Sequence, residues 1–205
     1  MRYRYPEARI LIFARAPEPG RVKTRLAPDL GEAAAAELQE ELARHTLQMA
    51  LDSRLAPVVL YCSPDTRHPF FREVAEAGVR LRAQTGRDLG ARMQRAFAEV
   101  LPECDRAVLI GTDCPVMRAA YLQQAFRALE QSAVVVGPAE DGGYVLLGLR
   151  QRLAPLFTGI DWGSDRVMAQ TRAALEQAET GWRELETLWD IDLYQDLQRW
   201  RRQEP

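Results

Sequence analysis

The sequence predicts a single α/β domain in which a mostly parallel sheet is covered by helices on both faces. Short apolar runs of strand length alternate along the chain with longer segments whose apolar residues recur every three or four positions. This alternation is typical of parallel strands that are joined by helices. A chain of 205 residues suits one domain, spanning 1–205, with a sizeable core.

The individual elements follow from the two kinds of pattern. Most strand predictions rest on continuous apolar runs, the pattern of strands buried on both faces, and one run alternates as in a half-exposed strand. The predicted strands cover residues 10–14, 57–62, 79–84, 106–110, 133–137, 144–148 and 183–188. Helical spacing predicts helices over residues 31–52, 71–77, 89–100, 121–129 and 163–177, and a C-terminal helix through 193–200.

Polar clusters follow the predicted strands. In open α/β sheets, ligands bind outside the carboxyl ends of the strands. We therefore expect the clusters to form one site at one edge of the sheet. They lie at residues 15–25, 84–92, 112–113, 140–141 and 190–192.

The loop after the first strand has the features of a phosphate-binding corner. Its prolines and a glycine set tight backbone geometry, and three of its four cations come at alternate positions just before a helical pattern. These residues are Arg15, Gly20, Arg21, Lys23 and Arg25. Lys23 is the only lysine among 27 basic residues, and a compact ammonium is not interchangeable with a planar guanidinium at a phosphate. The alternative is a solvated basic edge without a ligand.

Asp113 and Asp192 are the candidate metal ligands. Asp113 directly follows the strand predicted over 106–110 and its Gly-Thr turn, and Asp192 lies at a similar position near the C-terminus. Two carboxylates suit Mg²⁺, or Mn²⁺, which keeps several waters and bridges diphosphate oxygens. With Lys23, the cation would offset charge that develops on a phosphate, so Lys23 and Asp113 are candidate catalytic residues. The alternative is that both aspartates cap the helices that follow them.

The segment from Glu140 to Gly143 is the candidate acceptor-binding site. Gly142 and Gly143 permit close approach of the backbone, and Asp141 could orient or deprotonate an acceptor hydroxyl, which makes it the third candidate catalytic residue. The alternative is a tight turn between two strands, which uses the same glycines.

Composition and charge exclude several classes of partner. The formal net charge of −2 provides no field that favours nucleic acid or an anionic membrane. No apolar run approaches the length of a membrane span, and the first residues lack the apolar core of a signal peptide. We therefore expect a cytoplasmic protein with no nucleic-acid partner and no membrane insertion. The three cysteines lack metal-ligand spacing, and their odd number argues against a disulfide framework.

Three blocks of the sequence resemble the signature blocks of a bacterial family of nucleotide-diphospho-sugar transferase-like proteins with the GT-A fold. They are residues 13–26, the Gly-Thr-Asp-Cys-Pro segment at 111–115, and residues 137–144. Members of this family are often described as glycosyltransferases, some in connection with arsenosugar biosynthesis. The resemblance implies a single GT-A domain whose first loop binds nucleotide phosphates. It also implies that Gln84 and Asp88 lie near the base and ribose, and that Asp113 is the metal-binding aspartate.

The resemblance leaves the reaction type open. The segment Lys-Thr-Arg-Leu ending at Leu26 is also similar to a loop of phospholactate guanylyltransferases. The leading hypothesis is Mg²⁺-dependent glycosyl transfer from a nucleoside-diphosphate sugar to a small acceptor. A nucleotidyltransferase that releases pyrophosphate is the second hypothesis, and a nucleotide-binding regulatory module without turnover is the third. A homodimer is one option for its assembly.

Overall fold

The computed structural model describes residues 3–203, which form one seven-stranded sheet with helices on both faces. The strands are β1 (Ala8–Arg15), β2 (Val58–Ser63), β3 (Arg80–Ala83), β4 (Arg106–Ile110), β5 (Val134–Pro138), β6 (Tyr144–Leu149) and β7 (Trp182–Glu184). Their order across the sheet is β3-β2-β1-β4-β6-β5-β7, and β6 alone is antiparallel to its neighbours within the described residues. The predicted fold class, a mostly parallel sheet in an α/β domain, is confirmed.

The last strand is shorter than the predicted strand 183–188. Pairing with β5 continues through Leu185, whose N–H donates to Val136, and resumes only at Leu188. Between them, the carbonyl oxygen of Glu186 accepts a hydrogen bond of 2.7 Å from the Tyr121 hydroxyl. The chain therefore leaves the sheet for two residues because a side chain, and not the neighbouring strand, satisfies that carbonyl group.

The helices are α1 (Ala27–Leu30), α2 (Glu32–Ser53), α3 (Pro69–Glu76), α4 (Leu89–Val100), α5 (Ala119–Ala128), α6 (Val167–Gln177) and α7 (Tyr194–Arg201). The prediction that a helix begins at residue 163 is wrong, since α6 begins at residue 167. Gly163 has a φ of +88°, and the Ser164 N–H and hydroxyl both donate to the carbonyl of Asp161. That local turn delays the start of the helix. The short α1 has no predicted counterpart.

Two apolar clusters fill the two faces of the sheet. Helices α2, α3 and α5 contribute to one cluster, and α4 and α6 contribute to the other. A third cluster joins Trp189, Ile191, Leu197 and Trp200 to Leu26 and to two leucines of α2. This third cluster fixes the C-terminal segment against the loop that follows β1. No helix in residues 3–203 has both the length and the apolarity needed to cross a membrane.

The topology sends several chain segments to one edge of the sheet. Strands β1, β2, β3, β4 and β5 all end at this edge, and the antiparallel β6 begins there, since Ile110 pairs with Leu146 and Pro138 with Tyr144. The loops after β1, β3 and β4, the β5–β6 turn and the segment before α7 therefore come together, as the sequence predicts.

Candidate functional site

A cleft of about 870 Å³ lies at this edge of the sheet. Its walls bring together most of the predicted site residues, including at least one from each predicted cluster. They are Arg15, Lys23, Arg25, Gln84, Asp88, Asp113, Asp141, Gly143 and Asp192. Gly20, Arg21, Glu140 and Gly142 are not among the lining residues. Several lining residues were not named as individual candidates: Thr24, Arg92 and Asp190, which lie within the predicted clusters, and Ser164 and Asp165, which lie outside them.

Lys23 connects three segments of the cleft. Its Nζ lies 2.6 Å from Oδ1 of Asp113 and donates a hydrogen bond of 2.7 Å to the carbonyl of Ile191. The side chain is only 5% exposed. The backbone of Lys23 has a φ of +47°, a left-handed conformation that costs a non-glycine residue about 1–2 kcal/mol. Surrounding contacts must hold this conformation, which is common at functional sites.

The other predicted phosphate-binding cations differ in their surroundings. Arg25 pairs with Asp192 at 3.0 Å and lies at the wall of the cleft, as does Arg15. Arg21 pairs instead with Glu18 at 3.3 Å, and its side chain is 75% exposed. Gly20 shapes the loop, since its φ is +76°. The structure thus places Lys23, Arg25 and Arg15 at the cleft and turns Arg21 towards solvent.

Neither Asp113 nor Asp192 caps a helix. The N-cap of α5 is Arg118, and the N-cap of α7 is Leu193. The Asp196 carboxylate accepts hydrogen bonds from the N–H groups of Leu193 and Asp192. The capping alternative is therefore wrong for both aspartates, whose carboxylates lie at the wall of the cleft.

Asp190 lies in the predicted cluster at residues 190–192, but it was not named as a candidate metal ligand. Ile191 is fully buried in the third cluster, and its N–H donates a hydrogen bond of 2.8 Å to the Asp113 carbonyl. Asp190 and Asp192 flank it and both line the cleft. Burial, and then the charges of Asp141, Asp192 and Asp113, raise the pKa of Asp190 to about 7. Burial also raises the pKa of Asp192, while Lys23 opposes that shift.

Replacing Asp190 with asparagine is expected to stabilise the metal-free protein. At pH 8 the Asp190 carboxylate is ionised, half-buried and close to other carboxylates, so removing its charge relieves desolvation and repulsion. We expect the free energy of unfolding to rise by about 1–2 kcal/mol. Thermal unfolding at pH 8, with a chelator to remove metal ions, measures this change in the free energy of unfolding. Asp52→Asn, at an exposed position on α2, should change stability by less than about 0.5 kcal/mol, and a lower Tm for Asp190→Asn would contradict the expectation.

The donor groups of the cleft fit a divalent metal that prefers oxygen. Oδ1 of Asp113 is buried and accepts no hydrogen bond from any described residue, since its 2.6 Å contact with Lys23 lacks hydrogen-bond geometry. Within residues 3–203, no three His, Cys, Asp or Glu side chains converge into a ready-made cage. Mg²⁺ does not require one, because it is commonly held by one or two carboxylates together with waters and substrate phosphates.

Gln84 and Asp88 are held in place by hydrogen bonds at the wall of the cleft. The Gln84 amide nitrogen donates to the carbonyls of Ala14 and Tyr61, at 3.2 and 2.9 Å. Both hydrogens of that amide are thereby used, and only its oxygen remains to contact a ligand. Asp88 is the N-cap of α4, since its Oδ1 accepts from the N–H of Ala91 at 2.7 Å.

The segment 140–143 is a tight turn, as the structural alternative predicts, and it still contributes to the cleft. Oδ1 of Asp141 accepts from the N–H of Gly143 at 2.8 Å. Gly142 has a φ of +86°, and a Cβ atom there would overlap the backbone of Asp165. Asp141 and Gly143 line the cleft. Glu140 instead forms a two-point ion pair with Arg199, which lies 4.3 Å from the centre of the Trp189 ring.

Replacing Glu140 with glutamine is expected to leave acceptor binding nearly unchanged. Its exposed ion pair with Arg199 contributes less than about 1 kcal/mol to stability. The KM for the acceptor should therefore change by less than about twofold, whereas Asp141→Asn should raise it or lower kcat. Steady-state kinetics of both variants measures the difference. A KM increase above about fivefold in Glu140→Gln would return Glu140 to the acceptor site.

Trp162 forms part of the cleft wall through close packing. A Cβ atom at Gly90 of α4 would overlap its indole, and its ring meets that of Tyr144 edge to face at 6.3 Å. Gly90 therefore permits the approach of the indole to α4. Trp162 thus packs against α4, and its position in the lining leaves one part of the ring near any bound ligand.

Comparison with known proteins places the chain in a family. The model of the family described as "Uncharacterized protein conserved in bacteria (DUF2064)" matches residues 46–164, which is more than half of the chain. The chain belongs to the DUF2064 family. No curated protein sequence matches it significantly.

Solved structures extend this assignment of the DUF2064 chain. A candidate nucleotide-diphospho-sugar transferase from Desulfovibrio desulfuricans G20 is 33% identical, with a TM-score of 0.84, over 92% of this chain and 83% of that one. This likeness confirms the resemblance and the fold predicted from the sequence.

Two more distant structures share the fold alone. CMP:2-keto-3-deoxy-manno-octonic acid synthetase, complexed with CTP, is 14% identical with a TM-score of 0.61, and the match covers 96% of this chain and 97% of that one. Rv0371c from Mycobacterium tuberculosis H37Rv, in complex with manganese, is 17% identical with a TM-score of 0.56. That match covers 94% of this chain and 96% of the other.

Proposed function

We propose that this DUF2064 protein is a divalent-metal-dependent transferase that uses a nucleotide-activated donor, with glycosyl transfer from a nucleoside-diphosphate sugar to a small acceptor as the leading reaction. The observation that carries the proposal is the cleft itself. It combines a buried lysine, three arginines and several aspartates, and its volume of about 870 Å³ is in the range of small-molecule sites. The 33% identical candidate nucleotide-diphospho-sugar transferase supports this chemistry.

The residues divide by charge. Lys23, Arg15 and Arg25 would bind the donor phosphates, while Gln84 and Asp88 lie where a base or ribose could be held. Asp113 would hold Mg²⁺ or Mn²⁺, with Asp192 or its neighbour Asp190 as the second carboxylate. The metal supplies positive charge that offsets the charge developing on the leaving diphosphate. The manganese complex of the more distant Rv0371c is consistent with such a site.

The acceptor would enter beside the 140–143 turn. The Asp141 carboxylate is anchored by the N–H of Gly143, which leaves its second oxygen to take a proton from an acceptor hydroxyl. Gly142 and Gly143 would let an acceptor approach the backbone closely. Trp162 would shield this end of the cleft from water. We propose that the protein acts in the cytoplasm on small molecules, without nucleic acid or membrane insertion.

Nucleotidyl transfer is the second candidate. The Lys23-to-Leu26 block resembles that of guanylyltransferases, and the fold is shared with a synthetase whose structure contains CTP. In this reaction the same cations and carboxylates would bind a nucleoside triphosphate, and a phosphorylated acid or sugar would attack its α-phosphate.

A ligand panel followed by product analysis tests the proposal. Nucleoside-diphosphate sugars and nucleoside triphosphates are added with and without Mg²⁺, and the Tm is measured, since a ligand that binds only the folded state raises it. A Mg²⁺-dependent shift with a diphosphate sugar, followed by release of nucleoside diphosphate, supports glycosyl transfer. Pyrophosphate release from a triphosphate supports the second candidate. No shift with any compound contradicts both, and binding without turnover would indicate a regulatory module.

A further inference from the structure

We propose that Lys23 is an internal cation that contacts the proposed metal ligand Asp113 in the free protein and leaves it only when an anionic donor arrives. This inference rests on the proposed function, since it concerns the order in which the same site takes metal and donor. It assigns to Lys23 a second task besides phosphate binding, which is to keep the Asp113 carboxylate paired until both metal and donor are present.

The position of the ammonium is the first argument. Lys23 Nζ lies 2.6 Å from Asp113 and 2.7 Å from the carbonyl of Ile191, the residue between Asp190 and Asp192. It therefore lies between the two segments that carry the proposed metal ligands. A charge at that place attracts the same carboxylates that a metal needs, and two cations so close would repel each other strongly.

The second argument is that the contact with Asp113 can be exchanged. Oδ1 of Asp113 is buried but accepts no hydrogen bond from the described residues, although Lys23 lies within ion-pair distance. An ammonium carries three donors on a flexible stem, so it can turn to a phosphate oxygen while its backbone stays in place. A guanidinium presents its donors in a rigid planar fork, and Lys23 is the one residue among the 27 lysines and arginines that is not an arginine.

The consequence is coupled binding. Metal alone must displace the ammonium from Asp113 and leave it without an anionic partner, so it binds weakly. The donor diphosphate offers Lys23 a new partner and offers the metal further oxygens, so each ligand strengthens the binding of the other by the same factor. The cleft therefore takes metal together with its substrate.

The first test measures Mn²⁺ binding to the protein without nucleotide by electron paramagnetic resonance. Lys23→Met should bind Mn²⁺ about tenfold more tightly than the wild type, a change typical of a close charge pair. Arg25→Met is the matched control, because it removes an exposed guanidinium paired with Asp192. The Mn²⁺ affinity of Arg25→Met should rise by less than about threefold. No gain in Lys23→Met, or an equal gain in both variants, overturns the proposal.

The second test uses the wild type and does not depend on the folding of a variant. Because Lys23 is the only lysine, ¹⁵N-lysine labelling gives one side-chain Nζ resonance. Addition of Mg²⁺ alone should leave this resonance in place, and Mg²⁺ with a bound nucleoside diphosphate should move it. A full shift with Mg²⁺ alone overturns the proposal, as does no shift when both are bound.

The two tests separate failure of this inference from failure of the proposed function. If the protein binds no nucleotide, the proposed function fails, while the tighter Mn²⁺ binding of Lys23→Met would still support Lys23 as an internal cation. If nucleotide and Mg²⁺ bind but Lys23→Met shows no gain in Mn²⁺ affinity, the proposed function stands and the role of Lys23 as an internal cation is excluded.

Discussion

Replacing Asp113 with asparagine is expected to lower turnover by about 10²–10³-fold and to abolish the Mg²⁺-dependent rise in Tm with the donor. The carboxylate is the one that Lys23 contacts, and its buried Oδ1 has no hydrogen bond from the described residues. An amide has nearly the same shape but no charge to hold a metal, and loss of one charge-stabilising group at a reacting centre has this magnitude. Steady-state kinetics and thermal unfolding measure the two effects.

Asp105→Asn is the control for the loss of a carboxylate from the surface. Asp105 is 46% exposed, pairs with Arg106 and lies just before β4, at the edge of the sheet opposite the cleft. It should retain full activity. Asp113→Asn also leaves Lys23 without its carboxylate partner, so the ligand-free protein should have a lower Tm. The free energy of unfolding should fall by about 1–2 kcal/mol, a modest loss because Asp113 is half-exposed. Unchanged Mg²⁺-dependent donor binding in Asp113→Asn would remove Asp113 from the metal site.

The parts of the site that sequence could predict are those that local patterns specify. The apolar run of β1 followed by the basic loop, and the apolar run of β4 followed by Asp113, each place a charged residue just beyond a buried strand. Since parallel strands end at the same edge of the sheet, the fold class alone predicts that the basic loop and Asp113 lie close together. The structure places Lys23 and Asp113 within 2.6 Å of each other, although 90 positions separate them in the numbering.

The parts that escaped prediction depend on contacts between distant segments. Glu140 pairs with Arg199 across the surface, and no local pattern around Glu140 indicates that partner. Trp162 packs at the cleft wall because Gly90, on another element, leaves room for its ring, and no local pattern around Trp162 indicates that contact. Asp190 is different, because the sequence placed it in a predicted cluster, and the alternation Asp-Ile-Asp would also have put it on the same face as Asp192.

Replacing Gly142 with alanine is expected to destabilise the protein by about 3 kcal/mol and lower its Tm by roughly 6–12 °C. Two costs add. The φ of +86° is a left-handed conformation that costs alanine about 1–2 kcal/mol, and the new methyl group would overlap the backbone of Asp165, with an overpacking cost of about 1–3 kcal/mol. Chemical denaturation gives the change in unfolding free energy.

Gly159→Ala separates these two costs. Gly159 also has a left-handed backbone, with a φ of +74°, but a Cβ atom there meets nothing within 4 Å. Gly159→Ala should be destabilised only by the conformational cost of about 1–2 kcal/mol. The difference in unfolding free energy between the two variants therefore measures the cost of the contact with Asp165. Because Asp141 adjoins Gly142, Gly142→Ala should also raise the KM for the acceptor, while Gly159→Ala should not. Equal destabilisation of the two variants would show that the 140–143 turn and the segment around Asp165 shift readily to accommodate a methyl group. Asp141 would then lack the rigid support that a general base requires.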